Sequence, residues 1–70
     1  MNGVILRKRG DRGFLFIKGD DDSNGGKSQD YFCHQSQCIT PFEELHEGDF
    51  VTFRVQAHEK GLRAIEVKLQ

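Results

Sequence analysis

The sequence predicts an all-β fold in which five short strands close into a small barrel. Two runs, Gly13-Phe14-Leu15-Phe16-Ile17 and Tyr31-Phe32-Cys33-His34-Gln35, alternate aromatic and β-branched residues in the manner of strands. Gly- and Asp-rich segments bound them, as strand-joining turns require. No proper helix accompanies the strands, and closing the sheet removes the edges that a helix would otherwise cover.

Gly3 to Lys8 reads as the first strand, and Gly10-Asp11 turns the chain into a second at about Gly13 to Lys18. From Gly19 to Gln29 the chain holds three Asp, two Ser, one Asn and three Gly, so it reads as a solvated loop with almost nothing to bury. The third strand runs from about Asp30 to Gln35. Thr40-Pro41-Phe42-Glu43 then offers a cap, a proline at the first helical position and a carboxylate three after the cap. One short helical turn is expected there, ending before Gly48. Asp49 to Gln56 is the fourth strand, with Val51, Phe53 and Val55 on one face. Lys60-Gly61 turns into the fifth, where Ile65, Val67 and Leu69 alternate with Ala64, Glu66 and Lys68.

Seventy residues suffice for one domain with a thin core. The composition, 36% hydrophobic and 30% charged, is ordinary for a globular chain. No apolar run approaches membrane-spanning length. Met1-Asn2-Gly3 leads straight into a strand, so no signal peptide is expected and the cytoplasm is the default location. A net charge of −1 argues against an unspecific grip on duplex phosphate. Its distribution is uneven: Arg7, Lys8, Arg9 and Arg12 crowd the first strand and turn, while Asp20, Asp21 and Asp22 collect in the long loop.

Side chains two apart in a strand share a face. Phe14 and Phe16 therefore point one way, as do Phe32 and His34, while Leu15, Ile17 and Cys33 point the other. Both faces are apolar, and only one can fill the core of a small barrel. If the phenylalanines are outside, three flat rings and a histidine lie beside Arg12, and such a platform suits unpaired nucleobases.

These residues resemble a cold-shock domain, a five-stranded barrel of the oligonucleotide-binding fold, over nearly the whole chain. The resemblance rests on Arg12-Gly13-Phe14-x-Phe16-Ile17, Asp30-x-Phe32-x-His34-x-Ser36, Leu45-x-x-Gly48-x-x-Val51-x-Phe53 and Lys60-Gly61-x-x-Ala64-x-x-Val67, in the family's order and near its spacing. It implies one domain over residues 1–70, binding of single-stranded RNA or DNA, an RNA-chaperone role and no catalysis. By the same resemblance Phe14, Phe16, Phe32 and His34 stack on bases, and Phe42 stacks on a further one. Arg12 faces phosphate, and Asp30 accepts from a base edge.

Three departures from the family pattern bear on affinity. Leu6-Arg7-Lys8 stands where the family commonly has Lys-Trp-Phe, so the best stacking ring is gone. The Arg7 plane can substitute in part. Strict alternation places Arg7 on the face of Ile5, however, so that role needs a bulge in strand one. Gln35 replaces a phenylalanine common in bacterial members and offers an amide to a base edge instead. Leu15 replaces a glycine and adds bulk where strands coil closely. Two lost rings correspond to roughly 2–6 kcal/mol, at about 1–3 kcal/mol per stacked base. Weaker binding than in a typical member is expected unless Arg7, Lys8 and Gln35 compensate.

No metal and no cofactor are expected. Cys33 and His34 are strand neighbours facing opposite ways, which separates the donors that Cys38 and His46 would need for a zinc site. The spacing of Cys33 and Cys38 permits a disulfide, which a reducing cytosol disfavours. Asp20 to Asp22 lack the spacing of a calcium loop. Phe50 alternates against Val51 and Phe53 and reads as an exposed ring, packed under a loop or marking a partner contact. The competing reading is a barrel that has lost much of its platform and acts through protein contacts or as a homodimer; otherwise a monomer with no membrane partner is expected. No paired carboxylates or nucleophile–base pair suggest an enzyme.

Overall fold

The computed structural model describes residues 1–19, 30–59 and 61–70. The expected loop beyond Gly19, its Asp20-Asp21-Asp22 run and the Lys60 position of the last turn lie outside the described residues. Among the described residues the chain forms strands β1 (Asn2–Arg9), β2 (Phe14–Gly19), β3 (Asp30–His34), β4 (Phe50–His58) and β5 (Gly61–Leu69). They close in the order β1-β2-β3-β5-β4, antiparallel except where β3 meets β5. The all-β, five-stranded barrel expected from the sequence is the fold observed.

The inward face is the aliphatic one. Leu15 and Ile17 of β2, Cys33 of β3, Leu45, Val51 and Val67 are fully buried, joined by Ile5, Tyr31, Phe53 and Ala64. Each fully buried large side chain stabilises by about 1.5–3 kcal/mol relative to exposure, so this face holds the barrel together. Leu15, bulky where a glycine is usual, is accommodated as a core residue with no exposure. Strand crossing is tight at Gly3, where an added Cβ would meet the Lys18 carbonyl at 2.5 Å and the Phe53 ring at 2.9 Å.

Two bulges set which residues face outward. In β1, Ile5 pairs with Ile17 but Arg7 pairs with Phe16, so Leu6 is the extra residue. The chain bends there because β1 also bonds the segment before β4: Ile5 N–H donates to the Asp49 carbonyl and Gly48 N–H to the Ile5 carbonyl. Leu6 is left 44% exposed. The bulge that an outward Arg7 requires is therefore present.

The second bulge corrects the reading of strand five. Thr52 pairs with Lys68 while Arg54 pairs with Ile65, so β5 carries an extra residue between them. Glu66 occupies it with φ 52°, in the left-handed region that side-chain-bearing residues avoid. The strand's inside and outside exchange at that point. Ala64 and Val67 are buried, while Ile65 is half-buried and Leu69 exposed. Strict alternation of Ile65, Val67 and Leu69 fails for this reason.

Both non-strand turns also differ from expectation. β3 ends at His34, and Gln35–Gln37 forms a 3₁₀ turn capped by the His34 side chain, whose Nδ1 accepts from Ser36 N–H at 3.2 Å. The second 3₁₀ turn is Phe42–Glu44, with Pro41 rather than Thr40 at its cap and no side-chain capping bond. The Thr40 hydroxyl instead accepts a 3.0 Å bond from Leu69 N–H, tying the loop to β5.

Candidate nucleic-acid interface

Pairing of β2 with β3 sets Phe14 opposite His34, Phe16 opposite Phe32, and Lys18 opposite Asp30. All six side chains lie on the face away from Leu15, Ile17 and Cys33. The rings of Phe14 and Phe32 are 5.4 Å apart and tilted by 34°. Phe16 meets Phe14 edge-on at 5.6 Å and Phe32 edge-on at 5.8 Å. These separations fall within the range of favourable aromatic pairs. The rings hold one another upright, half-buried by mutual contact and half open to solvent.

Neighbouring strands extend these rows with cations. Arg9 pairs with Phe14 and Arg7 with Phe16 on one side. On the other, the parallel contact sets Arg63 opposite Phe32. One row therefore reads Arg7, Phe16, Phe32, Arg63 across four strands. A hollow of about 470 Å3 opens beside Phe32, lined by His58, Gly61, Leu62 and Arg63. Each end of the aromatic pair thus carries a planar cation able to meet phosphate or to stack on a base.

The expected site residues fall into three groups. Phe14, Phe16, Phe32, His34, Asp30 and Arg7 share the face just described. Arg12 and Gln35 stand at its end. Arg12 is exposed in the turn whose backbone closes through Arg12 and Gly13 N–H groups onto the Arg9 carbonyl. Gly13 has φ 73°, and a Cβ there would meet the Gln35 amide group at 2.9–3.2 Å. Only glycine allows Gln35 to fold down against the start of β2, where its N–H also donates to the Gly13 carbonyl at 2.8 Å.

Lys8 and Phe42 form the third group, apart from the platform. Lys8 pairs in register with buried Leu15, not with a platform ring. Its Nζ lies 4.6 Å from the Phe42 ring centre and donates a 2.8 Å bond to the Phe42 carbonyl. Phe42 itself packs partly against the core.

Arg9 and Arg63 are absent from the residues that the sequence singled out for the site. Arg9 belongs to the basic cluster noticed in the sequence, and the β1 bulge turns it onto this face. Arg63 is placed by the β3–β5 contact, and nothing in its local sequence signals that pairing. Phe50 is 67% exposed and pairs with Val4 on the β1–β4 side.

A closed five-stranded barrel with this strand order is the architecture of oligonucleotide-binding folds. The chain belongs to the cold-shock domain family: it matches the family described as "'Cold-shock' DNA-binding domain" over residues 1–70, its whole length. Nucleic-acid binding is thereby its class of function, and the family's fold is that of a binder, not an enzyme. Comparison with curated proteins gave no match. No helix among the described residues is long and apolar enough to cross a membrane.

Proposed function

We propose that the protein binds single-stranded RNA or DNA by stacking unpaired bases on Phe14, Phe16, Phe32 and His34, with Arg7, Arg12 and Arg63 meeting the backbone. The observation that carries this reading is the cluster of three phenylalanines, 5.4–5.8 Å apart on one half-open face, flanked by arginines in the same row. A purely structural role would bury those rings. Three half-open rings side by side instead keep apolar area in water that a base can cover.

Stacking explains the selectivity this site offers. A base inside a duplex has both faces covered, so the platform favours strands that are already unpaired. Binding only the open form pulls weak hairpins toward it by mass action, which is how such a protein acts as an RNA chaperone without chemistry. Gln35 and Asp30 add an amide and a carboxylate at the edges of the platform, where they can read a base edge. Stacking itself ignores the 2′-hydroxyl.

Arg7 and Gln35 in place of large rings lower the stacking contribution. The expected affinity for a pyrimidine strand of about eight nucleotides is micromolar at physiological salt, since each lost stack is worth about 1–3 kcal/mol. Fluorescence anisotropy tests both points together. Binding to the single strand with no binding to the matching duplex supports the proposal; a low-nanomolar constant refutes the affinity argument, and equal binding to duplex refutes stacking.

A further inference from the structure

Cys33 and Cys38 flank the His34 cap and the 3₁₀ turn Gln35–Gln37, and their sulphurs lie 3.7 Å apart. Both are free thiols; Cys33 is fully buried on the inward side of β3, and Cys38 is half-buried. The two sulphurs converge on one acceptor, the His34 carbonyl, at 3.4 Å and 3.8 Å. Cys38 is held in place by its bridge to Val67 and by its N–H donating to the Gln35 carbonyl. We propose that Cys33 and Cys38 form a reversible dithiol–disulfide site, in which Cys38 meets a small disulfide such as glutathione disulfide and Cys33 resolves it.

The geometry supplies the two things such a site needs. A disulfide bond is about 2.05 Å long, so the sulphurs, already at 3.7 Å, must approach by roughly 1.7 Å for it to form. The pair is also asymmetric, with one reachable thiol and one shielded behind it. Among the described residues no third His, Cys, Asp or Glu joins them to form a metal-holding group.

The chemistry runs by exchange. The Cys38 thiolate attacks one sulphur of glutathione disulfide and expels a glutathione thiolate, leaving a mixed disulfide on Cys38. Cys33 passes its proton to that thiolate, and its sulphur attacks the Cys38 sulphur. The second glutathione leaves as a thiolate and takes up the proton that Cys38 lost on ionising. Two protein thiols lose two electrons and two protons in all, and one glutathione disulfide gains them to become two glutathione thiols. The hydrogen bonding favours these roles. Once Cys38 ionises, the Cys33 S–H turns from the His34 carbonyl to the thiolate, which holds Cys38 below the usual thiol range, against the opposing effect of its burial and aided by the Lys8 charge. Cys33 is pushed up by that same hydrogen bond and by burial, so it ionises second.

Oxidation would withdraw both S–H groups from the His34 carbonyl, so the change is felt at the end of β3. The site itself stands independently of nucleic-acid binding. The test equilibrates the protein in glutathione buffers of rising disulfide-to-thiol ratio, quenches with acid, alkylates remaining thiols and weighs the intact chain. The expected wild-type product lacks two hydrogens, takes up no alkylating agent and reverts on reduction. Cys33→Ala should stop at a single glutathione adduct on Cys38, and it should raise the pH of half-maximal Cys38 alkylation because the donor thiol is gone. In amide spectra the oxidised chain should shift at His34 to Cys38 and stay unchanged at Val51 and Phe53. A wild-type chain that stays a dithiol in excess glutathione disulfide would overturn the proposal. So would one that accumulates the mixed adduct without closing, or that pairs between molecules.

Discussion

The ammonium of Lys8 stands over the Phe42 ring and donates to the carbonyl of that same residue. A cation counted from the sequence among those that could offset the lost rings is thus occupied in holding an aromatic loop against the barrel. Arg7, its neighbour, faces outward beside Phe16. The two should therefore respond differently to mutation. Arg7→Ala should lower the salt dependence of oligonucleotide binding by about 0.7 in log–log slope, the value for one phosphate contact on a single strand. Lys8→Ala should leave that slope unchanged and cost about 0.5–1 kcal/mol of stability, a typical exposed cation–π contribution. Anisotropy at several salt concentrations and urea unfolding read the two effects separately.

The two faces of β2 should separate binding from stability. Phe14→Ala and Phe32→Ala each remove a half-open ring and should weaken oligonucleotide binding by about 1–3 kcal/mol, roughly fivefold to 150-fold. Leu15→Ala removes a fully buried side chain and should cost about 2–5 kcal/mol of folding stability. Paired unfolding and binding measurements on the three variants check the assignment. A Phe14→Ala variant as unstable as Leu15→Ala would mean that the ring belongs to the core.

Much of this arrangement was legible in the sequence, and what was not has physical causes. Alternation put Phe14, Phe16, Phe32 and His34 on one face, and the family pattern favoured that face as the outer one. The β1 bulge was legible only as a condition: Arg7 could face outward if Leu6 were extra. The β5 bulge gave no signal, because Glu66 holds a left-handed conformation for which glycine is the usual marker. Thr40 looked like a helix cap, but the Leu69 N–H, distant in sequence, takes its hydroxyl. Arg63 went unnoticed for a similar reason. Its place beside Phe32 depends on strands that meet only in the closed barrel.

Glu66 offers a direct check of the β5 bulge. Its φ of 52° costs a side-chain-bearing residue about 1–2 kcal/mol. Its ion pair with Arg54, 3.3 Å long and exposed, offsets little of that. Glu66→Gly should therefore be neutral or stabilising by up to about 1 kcal/mol. Glu66→Val, β-branched, should destabilise by at least about 1 kcal/mol. Urea midpoints in the opposite order would place Glu66 in a regular strand.

Arg7 also marks where affinity can be regained. It stands opposite Phe16, at the position where the family commonly carries tryptophan. Arg7→Trp should extend the stacking row and tighten binding by about 1–3 kcal/mol, while removing one phosphate contact from the salt slope. Isothermal titration at two salt concentrations distinguishes this gain from a general increase in stickiness, which would also raise affinity for duplex.

Unpaired bases are expected to stack on the β2–β3 face. An amide NMR titration with oligo-dT and oligo-U of about eight nucleotides, at two salt concentrations, tests it most directly. The expected result is a set of shifts concentrated at Arg12 to Ile17, Tyr31 to Gln35 and Arg63, with modest salt dependence. No shifts at high-micromolar ligand, or shifts centred on Phe50 and the β1–β4 side, would contradict the account and turn attention to protein partners or self-association.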